Sequence, residues 1–168
     1  LIASERVKSF INEIEFSSLH VYLDLVAVSI AADIVPIVGE NRILAHFGLQ
    51  HLNKNPRKGI KIMLELAGAT KDKELTISDV VFIIAPRINA AGRLHSGKKA
   101  VELLISEDNL EALESGKNLN DTNTDRKNLD KLITDHALSI IGSNAELIDR
   151  KTTVVFHNDW HKGVVGIV

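Results

Sequence analysis

The sequence predicts an α/β chain that is helical over most of its length and turns to strand character only near its end. Three observations carry that expectation. Apolar residues recur at helical spacing between breaks rich in glycine, asparagine and proline; a long polar stretch opens at Asp108 with helix-capping chemistry; and Lys151-Thr152-Thr153-Val154-Val155-Phe156 is β-branched and aromatic.

Taken in order, residues 19–34 are apolar at most positions, with Asp24 and Asp33 as isolated acids, and Pro36 and Gly39 mark a stop. A buried helix is expected there. Residues 41–52 place Ile43, Leu44, Phe47, Leu49 and Leu52 at mostly helical spacing, and 53–59 are dense in turn formers, which predicts a helix and then a loop. Residues 59–67 carry Ile60, Ile62, Met63, Leu64 and Leu66 and meet Gly68 where a helix C-terminal glycine belongs. Thr76 and Asp79 supply capping groups ahead of the apolar residues 80–85, so another helix starts there, interrupted or kinked at Pro86. Residues 98–105 form a short amphipathic helix. Asp108 and Glu111 are spaced as a capping box at the head of a polar helix reaching Ile141. Its roughly 33 residues would span about 50 Å, more than a small domain needs internally, so it is expected to connect two lobes. The strand at 151–156 then opens a second domain near residue 150.

With 168 residues, 45% apolar and 25% charged, the composition is globular. No cysteine is present, which excludes disulfides and thiolate metal sites and fits a reducing, cytoplasmic setting. Apolar runs such as 25–32 and 80–86 are far shorter than the roughly 20 residues of a membrane span, so no membrane association is expected. The formal net charge is -2 and the pI about 6.4, which argues against coating nucleic acid by bulk charge. The positive charge is local: residues 85–99 hold Arg87, Arg93, Lys98 and Lys99 and no acid. The chain begins without methionine and stops inside an apolar run, which reads as a piece of a longer protein.

Two readings compete for each group able to do chemistry. Asp33, flanked by apolar residues, is either a helix-terminal acid bonding backbone donors or an oxygen ligand for Mg²⁺ or Mn²⁺. Arg87, Asn89 and Arg93 either solvate a helix end or converge on phosphate oxygens, with Gly92 allowing close approach. Lys54, Arg57, Lys58 and Lys61 read as a solvated surface able to steer a polyanion. His161, in Asp159-Trp160-His161-Lys162-Gly163, is placed either to touch a phosphate or to pack beside the tryptophan. The other histidines lack metal-ligand spacing, and neither a Walker-type loop nor a nucleophilic triad is present.

Four blocks in combination, Leu23-Asp24-Leu25-Val26-Ala27-Val28 through Ala32-Asp33-Ile34-Val35-Pro36, Gly39-Glu40-Asn41-Arg42, Pro86-Arg87-Ile88-Asn89-Ala90-Ala91-Gly92-Arg93-Leu94, and Trp160-His161-Lys162-Gly163 through Val168, closely resemble the RecJ family. These are single-strand-specific 5′→3′ DNA exonucleases of the DHH phosphoesterase superfamily. The resemblance runs from about residue 20 to the last residue. It implies that 1–107 is the C-terminal part of a DHH phosphoesterase domain, 108–150 a long connecting helix, and 151–168 the start of the DHH-associated domain. It further implies that Asp33 is the last metal-binding aspartate of a site using Mn²⁺ or Mg²⁺, the other ligands lying outside this segment, which alone should not cleave DNA. Arg87, Asn89 and Arg93 match the block along the DNA path, and His161 opens a block of the second lobe. Single-stranded DNA, single-strand-binding protein and a helicase are the implied partners.

Two departures stand out. Ser29-Ile30-Ala31 replaces the usual Gly-Thr before Ala-Asp, which bears on backbone geometry near the metal, and His95-Ser96 replaces an acidic pair, which makes that loop more basic. The alternatives are a DHH phosphodiesterase acting on short oligonucleotides or cyclic dinucleotides, and a non-enzymatic nucleic-acid-binding module.

Overall fold

The computed structural model describes residues 16–33, 35–69 and 73–168. Residues 1–15, the opening of the expected 1–107 domain, and Ile34, in the first expected helix, lie outside the described residues. Contacts gather the described chain into two compact units, one of residues 16–57 and 73–85, the other of 58–69 and 86–168.

In the first unit a 3-10 turn, Phe16–Tyr22, leads into α1 (Leu23–Ala32), which packs on α2 (Gly39–Lys54) and on a π-helical turn, Val80–Ile84. Ala27, Val28, Ile30 and Ala31 of α1 form a core with Ala45, Leu52, Val80 and Ile84. The stripe that α2 buries is Ala45, Gly48 and Leu52, while the larger Ile43 and Phe47 stay 58% and 52% exposed. Small residues win this face because α1 comes so close: a Cβ at Gly48 would overlap the Leu23 carbonyl oxygen and lie 2.7 Å from the Ala27 Cβ.

Asp24, fully buried on α1, is compensated. Its Oδ2 meets Arg57 Nε at 2.6 Å and its Oδ1 accepts the Leu25 N–H at 2.8 Å. Arg57 also donates to the Val21 carbonyl at 2.6 Å and lies over the Tyr22 ring, 5.5 Å from its centroid. The arginine expected to be a solvated loop cation is thus a structural clamp. Asn53 pins the return of the chain, accepting the Leu75 N–H at 2.7 Å and donating to the Leu75 carbonyl at 3.0 Å.

The expected capping residues Thr76 and Asp79 close a full capping box around the single turn Ile77–Asp79, with the Asp79 carboxylate accepting the Thr76 N–H at 2.7 Å. Hydrogen bonds from the Thr76 backbone and hydroxyl hold the Asp79 carboxyl below the usual carboxylate range. The interruption expected at Pro86 is a widened turn just upstream, in which the Ala85 N–H donates to the Val80 carbonyl. Proline has no N–H to give and its ring crowds the carbonyl four residues back, and a π turn relieves both constraints.

The second unit holds α3 (Lys58–Leu66), α4 (Ala85–Leu94, from Pro86 on), α5 (Lys98–Ile105), α6 (Asn109–Gly142) and the short α7 (Ala145–Ile148). Helices α3, α5 and α6 pack mutually around Ile60, Met63, Leu103, Ala112 and Leu119. Glycines set the two crossings: a Cβ at Gly59 would overlap the Leu103 carbonyl oxygen, and one at Gly116 would stand 2.6 Å from Ile62 Cγ2. Lys58 Nζ donates to the Glu107 carbonyl across the same contact. Gly68, at φ 72°, ends α3 as expected, its N–H donating to Glu65 and that of Ala69 to Leu64, each at 3.0 Å.

Asp108 caps α6, its Oδ1 accepting the N–H groups of Leu110 and Glu111 at 2.8 and 2.9 Å. Glu111 turns instead to the Ser106 hydroxyl at 3.4 Å. The helix runs 34 residues, about 50 Å, and buries Ala112, Gly116, Leu119 and Asn123 along one line before Ile133.

The described residues are mostly helical, as expected, and the strand character expected near the end needs correction, since they contain no strand. The stretch 151–156 is irregular, with Val154 and Phe156 93% and 82% exposed. Its β propensity is genuine, but a strand exists only through a ladder with a partner, and the described residues offer none.

Candidate functional site

Asp33 follows the last residue of α1 and closes it, its N–H donating to the Ser29 carbonyl at 3.1 Å. Acceptance of free backbone N–H groups by a carboxylate belongs to a helix start, whereas Asp33 stands at a helix end, where the unsatisfied groups are carbonyls. A negative charge there opposes the helix dipole, at a cost of roughly 0.3–1 kcal/mol. The Asp33 side chain is exposed and has neither hydrogen bond nor ion pair among the described residues. An outward carboxylate with no internal partner fits one oxygen ligand of a hard divalent cation. Among the described residues no group of three or more His, Cys, Asp or Glu gathers to complete a metal site.

The basic group lies in the second unit. Asn89 and Arg93, four residues apart on α4, share an exposed face. Arg87 lies about 120° around the helix from Arg93 and is half-buried. Its Nε and Nη2 both donate to Asn120 Oδ1 on α6, at 3.2 and 3.0 Å. Burial pushes the Arg87 guanidinium down from its ordinary range. The three residues expected to converge therefore divide between two faces.

The loop after Trp160 docks on the end of α4. Arg93 Nη1 donates to the Gly163 carbonyl at 3.4 Å, and the Gly163 N–H donates to His161 Nδ1 at 3.1 Å. A Cβ at Gly163 would overlap the Arg93 carbonyl oxygen, so only glycine permits this approach, and the next residue, Val164, is fully buried. Arg93 and His161 are thereby brought together. Since His161 Nδ1 accepts, the neutral ring carries its proton on Nε2, a donor suited to a phosphate oxygen. Trp160 donates through Nε1 to His136 Nδ1 at 3.2 Å, and the two rings meet edge to face with centroids 5.8 Å apart. His157 joins them, 4.6 Å from His136.

Sequence reasoning missed Asn120 as the partner of Arg87, and Arg57 as the partner of Asp24. Each pair is separated by 33 residues, and no local pattern reports such a pairing. An acid inside the apolar run 23–32 was the one available signal for the second.

No protein-family model matches the chain. Individual relatives do. The chain is 38% identical over 146 residues to the single-stranded-DNA-specific exonuclease RecJ of Bacillus subtilis (strain 168), covering 87% of the chain and 18% of that protein. It is 35% identical over 164 residues to the RecJ of Escherichia coli (strain K12), covering 94% of the chain and 28% of the relative. Among solved structures, RecJ of Thermus thermophilus in complex with Mg²⁺ superposes with a TM-score of 0.73 at 34% identity, over 88% of this chain and 23% of that one. The Mn²⁺ complex of the same protein gives 0.74. The chain thus spans between 18% and 28% of the length of the curated relatives it matches. Across nearly nine-tenths of its residues the chain is similar, in sequence and in fold together, to a segment of the RecJ exonucleases.

Proposed function

We propose that this chain is a segment of a metal-dependent exonuclease that hydrolyses phosphodiester bonds of single-stranded DNA from the 5′ end, in DNA repair and recombination. The observation that carries the reading is the likeness, in sequence and fold together, to proteins named as single-stranded-DNA-specific exonucleases. The Mg²⁺ and Mn²⁺ complexes of one relative support either ion as cofactor. Within that reading, 1–107 is the C-terminal part of the phosphoesterase domain, 108–150 the connecting helix and 151–168 the start of the second domain.

Asp33 supplies one oxygen ligand, as its exposed carboxylate suits. When bound, a divalent ion activates water and stabilises charge on the phosphate. Arg87, Asn89, Arg93 and His161 bind backbone phosphates, which position the strand without reading its sequence and make affinity fall with salt. Arg93 and His161 offer the best-supported pair, because Gly163 holds both. Single-strand-binding protein and a helicase are the proposed protein partners, and the cytoplasm the proposed location. Among the described residues no helix is long and apolar enough to cross a membrane.

The test uses the full-length protein and long 5′-labelled single-stranded DNA with Mn²⁺, wild type beside Asp33→Ala, and a dinucleotide as competing substrate. Degradation of the long strand that Asp33→Ala abolishes is the expected result. Cleavage of the dinucleotide alone would overturn it.

A further inference from the structure

Along α2, Phe47, Gln50, His51 and Lys54 fall at i, i+3, i+4 and i+7, one continuous stripe of the helix. Helices commonly bury a stripe of that spacing, but the one α2 buries is its neighbour, Ala45, Gly48 and Leu52. The stripe from Phe47 to Lys54 instead lines a cleft of about 330 Å³, together with His20 of the 3-10 turn and Leu23 at the head of α1. That volume falls within the roughly 300–1,000 Å³ of small-molecule sites. All six residues belong to the first unit.

The lining is positive or neutral throughout. No acid borders the cleft, and residues 41–64 contain none, in a chain of net charge -2. Of the polar side chains in that stretch, Arg57 is committed to Asp24 and Asn53 to Leu75. The side chains of His20, His51 and Lys54 make no hydrogen bond or ion pair among the described residues. A cation in the last turn of a helix offsets the dipole, which is reason enough for Lys54 alone. It accounts neither for His20, which comes from a separate element, nor for Phe47, which is 52% exposed beside it.

A nucleotide has the matching parts. Its base is a flat apolar surface for Phe47 and Leu23, with an edge that the Gln50 amide can bond, and its phosphate takes donors from Lys54, His51 and His20. Phe47 and Lys54 lie two turns apart, roughly 10 Å along the axis, so ring and ammonium serve opposite ends of one ligand. We propose that this cleft binds one nucleoside 5′-monophosphate unit, its base against Phe47 and its phosphate on Lys54. Leu23 and Asp33 are separated by ten residues along α1, roughly 15 Å, so the site is distinct from the one proposed for the metal and does not rest on it. The unit is either a nucleotide of a bound strand or a free mononucleotide, and the two sources share this chemistry.

The test is calorimetric titration of the full-length protein in EDTA, which keeps hydrolysis out, with dTMP, thymidine and oligo-dT. Wild type, Phe47→Ala and Lys54→Gln are compared, with thermal unfolding in parallel. Phe47→Ala is expected to weaken dTMP and thymidine alike by about tenfold, the effect of losing one stacked base. Lys54→Gln is expected to weaken dTMP severalfold and leave thymidine unchanged, since thymidine has no phosphate. Both variants should keep the wild-type Tm, because neither side chain is buried. The same losses with oligo-dT would assign the cleft to a nucleotide of the strand, and wild-type affinity for oligo-dT in both variants would assign it to the free mononucleotide. Affinity for dTMP that is absent in the wild type, or unchanged in Phe47→Ala, would overturn the proposal. Unchanged dTMP affinity with a lowered Tm in Phe47→Ala would do so by showing that the rest of the full-length protein covers the ring. Loss confined to Lys54→Gln would reduce the cleft to a steering charge and overturn it as well.

Discussion

Asp33 and Asp24 sit nine positions apart on or at the end of the same helix and meet opposite fates. Asp24 is buried and committed to Arg57, whereas Asp33 is exposed and committed to nothing among the described residues. Removing Arg57 strands a buried carboxylate, so Arg57→Ala is expected to cost about 3 kcal/mol, read from urea unfolding. A loss below ~0.5 kcal/mol would mean that the Leu25 N–H alone suffices for Asp24. Asp33→Ala, by contrast, removes no internal contact and relieves an unfavourable dipole interaction, so stability should be unchanged or slightly raised while metal-dependent hydrolysis by the full-length protein is abolished. Equal loss of DNA binding and hydrolysis would count against the ligand role. Sequence patterning singles out both acids without distinguishing them, since what separates them is an arginine 33 residues away from Asp24, at a distance no periodicity reports.

Helix boundaries were legible because their causes are local. Gly68 supplies a positive φ, Asp108 accepts two N–H groups, and Thr76 and Asp79 close their box, all within a few residues of the ends they mark. The strand expected at 151–156 failed for the converse reason, since a ladder depends on a distant partner. The buried stripe of α2 was not legible, because residue size alone points to Ile43 and Phe47, while the close approach of α1 favours Ala45 and Gly48. Crossings made by glycine give a ranked prediction. Gly59→Ala puts a Cβ into the Leu103 backbone carbonyl, which cannot swing aside, and should cost about 2 kcal/mol or more. Gly116→Ala would put its Cβ 2.6 Å from Ile62 Cγ2, a methyl on a stiff β-branch, and 3.2 Å from Leu66 Cδ1, side-chain atoms that can shift further than a backbone carbonyl, and up to about 1 kcal/mol of helix propensity offsets part of the strain, so it should cost less than Gly59→Ala. Chemical denaturation of both variants checks the order. The capping box adds a pH effect: the folded Asp79 carboxyl lies below its unfolded value, so its stabilisation is present above the unfolded range and is lost as pH falls through the folded one. Thr76→Ala should remove about 1 kcal/mol and weaken that acid sensitivity without abolishing it, because the backbone N–H at position 76 still bonds the Asp79 carboxylate, as seen in stability measured from pH 6 downward.

For the molecule as a whole, a net charge of -2 means that a polyanion must be held by local positive charge, and the acid-free stretch from Arg87 to Lys99 is the proposed place. Neutralising Arg87, Arg93, Lys98 and Lys99 together should flatten the salt dependence of single-strand binding by no more than roughly 3, four phosphates at about 0.7 each. A larger change would place further contacts under the control of these residues. The aromatic contact at the far end of α6 has a different use. Trp160 is the only tryptophan in the chain, and its indole N–H is held by His136 while its ring meets that imidazole edge to face. Within this chain there is therefore a single indole emitter, seated where the 157–164 loop joins the long helix. Departure of that loop from α6 exposes the indole to water and shifts its emission to the red, so in this chain by itself one optical signal, without any label, follows the element that carries His161 and Gly163.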